Sequence, residues 1–245
     1  MIYHSCPATS RAMLARRAIA GLLIAPAIAG CTSTAAPLPA PTSMSDSSLV
    51  PRQGIVDLAS PHLDGGVSLE SALLHRRSVR DFTEEPLSDE EVSQLLWAAQ
   101  GVTSPQGGRT APSAGALYPL EVYVVTADGV FHYLPAHHQA EMHARGDRRG
   151  SLQAAGLSQS AIGAAPAVFV IAAVFARTQG KYGERATRYV YLEAGHAAQN
   201  LLLQAVALDL GGVPIGAFAD AQVSLALDLP GNHEPLYLIP IGHPR

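Results

Sequence analysis

Thr178-Gln179-Gly180-Lys181-Tyr182-Gly183-Glu184-Arg185-Ala186-Thr187-Arg188-Tyr189-Val190-Tyr191-Leu192-Glu193-Ala194-Gly195-His196-Ala197-Ala198-Gln199-Asn200 reads as a basic, glycine-flanked loop running into a long helix. The helix continues through Leu201-Leu202-Leu203-Gln204-Ala205-Val206-Ala207-Leu208, so its second half is expected to be buried. Its first half carries Glu193, His196, Gln199 and Asn200. His196, Gln199 and Asn200 stand at i, i+3 and i+4 and share one helical face. A helix built only for a core would not set so many hydrogen-bonding groups in one stripe. Lys181 and Tyr182, just upstream, are side chains that move protons once their environment shifts their pKa values.

The segment before this stretch, Pro166 to Phe175, is a continuous apolar run bounded by turn signals. It predicts a central strand buried on both faces. After the helix, Leu210-Gly211-Gly212 marks a stop, and Val213-Pro214-Ile215-Gly216-Ala217-Phe218 is a short extended piece whose bare backbone suits a planar ring. A helix around Ala221 to Leu227 and a strand from Pro235 to Ile241 complete the chain. Further upstream, strands Glu121 to Thr126 and Val130 to Leu134 flank the turn Asp128-Gly129, which predicts a hairpin. A polar segment with His137, His138 and His143 follows, and Arg148 to Gly156 is helical. No metal site is expected from these histidines, because no cysteine or carboxylate stands at ligand spacing. The sum is an α+β fold, a central antiparallel or mixed sheet packed by helices.

Two further stretches suit a flat, phosphorylated ligand. Arg76-Arg77-Ser78-Val79-Arg80 follows a short helix, Leu69 to His75. Guanidinium forks bind phosphate oxygens bidentately, and Ser78 adds a hydroxyl; a solvated basic patch is the alternative. Gly107 to Pro119 contains Ala111-Pro112-Ser113-Ala114-Gly115-Ala116-Leu117-Tyr118-Pro119, whose small residues let a ring approach the backbone. Between them, Ser88 to Glu91 is a capping box opening a helix that buries Val92, Leu95, Leu96 and Trp97.

Of the 245 residues, 48% are hydrophobic and 15% charged, which supports one packed domain with an appended tail. The net charge of −4 leaves no basic surplus for nucleic acid. Both cysteines, Cys6 and Cys31, lie in the first segment, so no disulfide framework is expected in the domain. Arg11, Arg16 and Arg17 precede an apolar run, Ala18 to Ile28, that is too short to span a bilayer. Residues 1–30 therefore read as a secretory signal peptide, with Met13 an alternative start to Met1. Its end, Ile28-Ala29-Gly30-Cys31, resembles a bacterial lipobox, which implies lipidation of Cys31 and a membrane-anchored protein on the extracytoplasmic face. Arg16-Arg17 also resembles a twin-arginine export signal, with an ordinary basic n-region as the alternative. Residues 31–62, rich in Ser, Thr, Ala and Pro, are expected to form a flexible tether, and 63–245 the folded domain.

Taken together, Arg76 to Arg80, Ala111 to Pro119, Lys181 to Asn200 and Pro214 to Phe218 resemble the nitroreductase superfamily of FMN enzymes, and within it the SagB-type dehydrogenase branch. The resemblance covers about Leu69 to Pro244. It implies a nitroreductase-like homodimer with two FMN sites shared between subunits. It assigns cofactor binding to Arg76, Arg77, Ser78, Arg80, Pro112, Ser113, Ala114, Gly115, Pro214, Ile215 and Gly216. It assigns proton transfer to Lys181 and Tyr182 while hydride passes between an organic, peptide- or heterocycle-like substrate and flavin N5. For Lys181 to act as a base it must be neutral, which needs burial or a nearby cation such as Arg185 or Arg188; otherwise it binds substrate or flavin as a cation.

Two departures bear on the transfer. The basic residues that many nitroreductases place after the last glycine to reach the phosphate have no counterpart here unless Arg245 serves. An exported protein also has no cytoplasmic partner enzymes at hand. Two other readings therefore stand beside the dehydrogenase: an NAD(P)H-dependent nitro- or quinone reductase, and a catalytically idle lipoprotein that binds flavin or a peptide.

Overall fold

The computed structural model describes residues 54–245. The expected signal peptide, the lipobox at Cys31 and most of the expected tether lie outside the described residues. Seven strands form one sheet: β1 (Ile55–Asp57), β2 (Leu120–Val125), β3 (Gly129–Leu134), β4 (Gln139–Arg145), β5 (Ala167–Ala173), β6 (Gly211–Gly212) and β7 (Glu234–Gly242). Their order is β1-β4-β3-β2-β5-β7-β6, and every pairing is antiparallel. Seven helices pack on it: α1 (Leu69–His75), α2 (Asp89–Gln100), α3 (Arg149–Ala155), α4 (Ser160–Ala164), α5 (Phe175–Tyr182), α6 (Ala186–Ala207) and α7 (Asp220–Leu227). Among the described residues no helix is long and apolar enough to cross a membrane.

Strand β5 organises the core. All seven of its residues are buried, between β2 and β7. Phe169, Ile171 and Ala173 join the apolar cluster of α2 and α6 on one face, with Leu95, Leu96, Val190 and Leu201. Val168, Val170 and Ala172 join Leu152, Ile162, Val223 and Leu227 of α3, α4 and α7 on the other. Each of the larger side chains contributes about 1.5–3 kcal/mol by leaving water. This two-sided burial is why the run Pro166 to Phe175 lacks alternation. The capping box forms as read: Glu91 N–H donates to Ser88 Oγ at 3.2 Å, and Ser88 N–H donates to the Glu91 carboxylate at 2.7 Å. It starts α2 and so aims Leu95, Leu96 and Ala99 at the sheet and at α6.

Five expectations need correction. Residues 55–57 belong to the sheet as β1, paired with Gln139 to Glu141 of β4, so the tether does not extend to 62. Lys181 and Tyr182 end a helix, α5, rather than sitting in a loop; only the break at Gly183, with φ +54°, separates α5 from the short 3-10 turn before α6. The polar segment with the three histidines is mostly strand β4. Its residues Gln139 to Arg145 do alternate polar and apolar, but the apolar set is two alanines and a methionine on a partly covered part of the sheet, with Ala140 its one buried residue. The long helix ends at Ala207, and Leu210 leads into β6. Trp97 is half-buried, not core.

Candidate active site

The loop from Ser113 to Tyr118 is held in an uncommon conformation. Gly115, Ala116 and Tyr118 have φ of +65°, +54° and +47°. For residues other than glycine this conformation costs of order 1–3 kcal/mol, and it persists where surrounding contacts impose it. Here Tyr118 N–H donates to Ser113 Oγ at 2.9 Å, Arg177 donates to the Tyr118 carbonyl at 3.1 Å, and the Arg109 guanidinium lies 4.4 Å from the Tyr118 ring centre. The result is an exposed backbone ledge at Gly115.

Lys181 and Tyr182 close on that ledge. A Cβ on Gly115 would lie 2.8 Å from both Lys181 Nζ and Tyr182 Oη. The Tyr182 ring stands edge-on to Tyr189, centroids 4.9 Å apart, and Arg185 Nε donates to Tyr189 Oη at 3.3 Å. Helix α5 supplies the pair and α6 fixes Tyr182 from behind. Lys181 is exposed in the single chain, so the burial asked of a neutral lysine is not provided by this chain's own described residues.

Arg76, Arg77, Ser78 and Arg80 form a second group. Val79 N–H donates to the Gly212 carbonyl at 3.1 Å, and Ser78 bridges Gly212, so the segment lies along the β6 edge. Gly211 allows this: a Cβ there would stand 2.7 Å from Val79 Cβ. Arg77 donates to the carbonyls of Leu74 and Arg76, and Arg80 to that of Ser78 at 3.4 Å. None of the three arginines joins an ion pair among the described residues, so donors remain for a phosphate. Pro214 to Gly216 continue from the same edge, with Ile215 paired to Leu238 and Gly216 exposed. The residues present thus fit a flavin nucleotide in two parts, cations for phosphate and bare backbone for a ring.

Under the loop lies a buried polar set. Glu193 on α6 is 2% exposed. Burial pushes its carboxyl up to about 7, against the opposing pull of the Ser113 hydroxyl and the Arg109 guanidinium. One of its oxygens, Oε1, has no hydrogen-bond partner among the described residues. Asn200 donates to the Thr110 carbonyl at 3.1 Å. The expected face of His196, Gln199 and Asn200 is therefore split: Asn200 turns toward the loop, as Glu193 does, while His196 and Gln199 are exposed.

The histidines go to separate structural bonds. His138 meets Ser93, Tyr133 and the Ala59 carbonyl, and His143 the Asp228 carbonyl. Arg109, Glu121, His132 and Arg177 were not singled out from sequence. Glu121 binds both His132, at 2.7 Å, and Arg177. Strands β2 and β3 and helix α5 bring these together from distant positions, and no spacing in the chain announces it.

The family model for the nitroreductase family matches residues 73–243. A nitroreductase homologue of Methanocaldococcus jannaschii is 43% identical over 182 residues, covering 72% of this chain and 91% of its own. A nitroreductase-type structure from Ralstonia eutropha superposes with a TM-score of 0.72 at 30% identity, over 79% of this chain and 90% of that one. The NADPH:FMN oxidoreductase of Vibrio harveyi, solved with NAD+, gives 0.55 at 25% identity, over 72% and 68%. The microcin synthetase complex of Escherichia coli, solved with a truncated pro-microcin bound, gives 0.61 at 25%, over 77% of each chain. The chain therefore belongs to the nitroreductase family of flavin-dependent oxidoreductases.

Proposed function

We propose that this enzyme is an FMN-dependent dehydrogenase of the SagB type, acting on an organic substrate of peptide or heterocycle character. The observation that carries the reading is the convergence of Lys181 Nζ and Tyr182 Oη on the bare backbone of Gly115, each 2.8 Å from where a Cβ would stand. The likeness to the microcin synthetase complex, solved with a peptide precursor bound, supports a peptide-like substrate. When bound, FMN supplies a two-electron acceptor for hydride. Arg76, Arg77, Arg80 and Ser78 hold the phosphate, and the backbones of Pro112 to Gly115 and Pro214 to Gly216 flank the ring. With substrate and the second subunit covering it, Lys181 takes the proton that the substrate loses with its hydride, and Tyr182 orients the substrate by a hydrogen bond.

The exposed leucines Leu69, Leu73 and Leu74 of α1 and Tyr191 and Leu192 of α6 suit a homodimer in which each site draws on both subunits. The lipobox-like Ile28-Ala29-Gly30-Cys31 supports cleavage before Cys31, lipidation there and an extracytoplasmic membrane face. Cell fractionation of a Cys31→Ser variant tests this placement, since release into the soluble fraction is expected.

The deciding experiment begins with the absorption spectrum of the purified folded domain, expected to show bound FMN near one per subunit. Rapid-mixing reduction of the loaded enzyme by candidate peptide substrates then compares Lys181→Ala and Tyr182→Phe with the parent. Losses of about 10²–10⁴-fold in the reduction rate, with flavin retained, are expected. Unchanged rates in both variants would sink the mechanism, and a colourless protein that takes up no FMN would sink the cofactor assignment.

A second reading, an NAD(P)H-driven reductase of nitro compounds or quinones, is supported by the likeness to the Vibrio harveyi enzyme solved with NAD+. Saturable reduction of the bound flavin by NADPH, with no response to peptides, would favour it.

A further inference from the structure

Beside the ledge at Gly115, a cavity of about 460 Å³ opens between the end of α2, the loop around Tyr118, strands β2 and β3, and the first turn of α5. Its size suits a small organic molecule. Leu117, Leu134 and Pro135 give it an apolar wall, and Arg109 and Arg177 face it with two guanidinium groups.

The charges in this cavity are unevenly matched. Glu121 is its one acidic wall residue, and both carboxylate oxygens are occupied, Oε1 by Arg177 and Oε2 by His132. Arg109 is half-buried and joins no ion pair among the described residues. Its hydrogen bond goes to a neutral amide, Gln100 Oε1, at 3.0 Å, and its flat face rests on Tyr118. Gln100 is fully buried, and its Nε2 has no acceptor among the described residues. Burial, and to a lesser degree the neighbouring Arg177 cation, disfavours the charged form of Arg109, and Tyr118, Glu121 and Glu193 offset this only in part. A half-buried guanidinium with free donors, next to an amide lacking an acceptor, is a site short of oxygen acceptors. The planar fork of Arg109, held by the tyrosine, matches a carboxylate.

We propose that this cavity binds the carboxylate of a small organic acid, with Arg109 as its anchor, Arg177 as the second cation and the apolar wall holding the carbon body. The site is separate from Lys181 and Tyr182 but adjoins them. Tyr118 belongs to the same loop as Gly115, and Arg177 stands one helical turn before Lys181 on α5. The acid is either the substrate's own carboxylate or a separate effector, and the chemistry of recognition is the same for both. Binding can be measured whatever reaction the enzyme performs, so this inference does not depend on the dehydrogenase reading.

Hexanoate and its neutral counterpart hexanamide are the probes. Titration into the flavin-loaded protein by calorimetry is expected to show hexanoate binding at least tenfold more tightly than hexanamide. Arg109→Gln should weaken hexanoate at least tenfold and leave hexanamide unchanged, while Arg148→Gln, a surface cation paired with Asp228, should alter neither. In the unmodified protein, leucine methyl resonances should shift at Leu117 and Leu134, which locates the site even if a variant misfolds. A simultaneous shift in the flavin absorbance marks the substrate's own carboxylate, and binding without it marks an effector. Equal affinity for the two probes, methyl shifts confined to leucines outside the cavity, or a folded Arg109→Gln variant that binds hexanoate as before would overturn the proposal.

Discussion

Gly115 and Lys181 meet so closely that the smallest side chain would separate them: a Cβ on Gly115 would stand 2.8 Å from Lys181 Nζ. The two residues come from a strained loop and from the last turn of a helix 66 positions further on in the chain. Neither element makes the site alone.

Gly115→Ala should therefore damage the site more than the fold. The left-handed backbone adds a steric cost of about 1–2 kcal/mol to stability. The new methyl must displace Lys181 Nζ and Tyr182 Oη as well. Bound-flavin spectra should change, and turnover should fall by at least about tenfold, since small misplacements at a reacting centre are costly. A melting curve beside a turnover assay separates the two effects, and turnover equal to the parent's would contradict the assigned role of the ledge.

Gly211→Ala tests the other half of the proposed cofactor site. Its Cβ would press on Val79 Cβ at 2.7 Å and push the segment from Arg76 to Arg80 off the β6 edge. Flavin should dissociate more readily, by about tenfold or more, with a stability loss of about 1–3 kcal/mol from overpacking. Equilibrium dialysis of FMN alongside urea denaturation reads both.

Glu193 gives stability a defined pH dependence. Its folded pKa of about 7 lies above the ordinary carboxyl value because the side chain is buried, so the folded state keeps a proton that the unfolded state has released. The contribution is complete below about pH 4.5 and is lost as pH rises to about 7, a decline of roughly 3 kcal/mol. Glu121 acts in a different window. Burial raises its pKa, but its bonds to His132 and Arg177 outweigh this and hold the carboxyl below the usual range, so its contribution is lost only as pH falls further. Urea midpoints between pH 4.5 and 7.5 should thus fall with pH in the parent and fall less steeply in Glu193→Gln. Parallel slopes would rule out Glu193 as the source.

The leucines of α1 address the proposed dimer. Leu73 and Leu74 are 52% and 66% exposed in the single chain. Leu73→Asp combined with Leu74→Asp should leave the folded chain monomeric by light scattering and deprive it of flavin, because each site would lose its second subunit. A dimer of unchanged affinity would place the interface elsewhere.

Much of the architecture was legible in the chain. The capping box at Ser88 and Glu91 fixes where α2 begins, because both partners of the motif lie within one turn. The apolar run from Pro166 to Phe175 required burial on both faces, and β5 has it. Strand β4 is less legible because the apolar positions of its alternation are only Ala140, Met142 and Ala144, a weak signal beside the histidines and charged residues around them. The placement of Lys181 on a helix was missed because Gly180 and Gly183 read locally as loop signals, whereas packing of α5 against α6 maintains the helix as far as Tyr182.

What the sequence by itself determined was the set of local elements, the arginine-serine segment, the small-residue loop and the adjacent pair Lys181 and Tyr182. These are written in nearest-neighbour spacing and in the choice of residue types. Only the tertiary structure decided that Gly115 faces Lys181 and Tyr182, that Glu193 is sealed beneath the loop, and that Arg109 shares a cavity with Arg177 while Glu121 is already engaged. The physical reason is that burial and charge pairing are properties of groups brought together across the sheet. A carboxylate's pKa and a guanidinium's lack of a counter-ion exist only once β2, β3, α5 and α6 have packed.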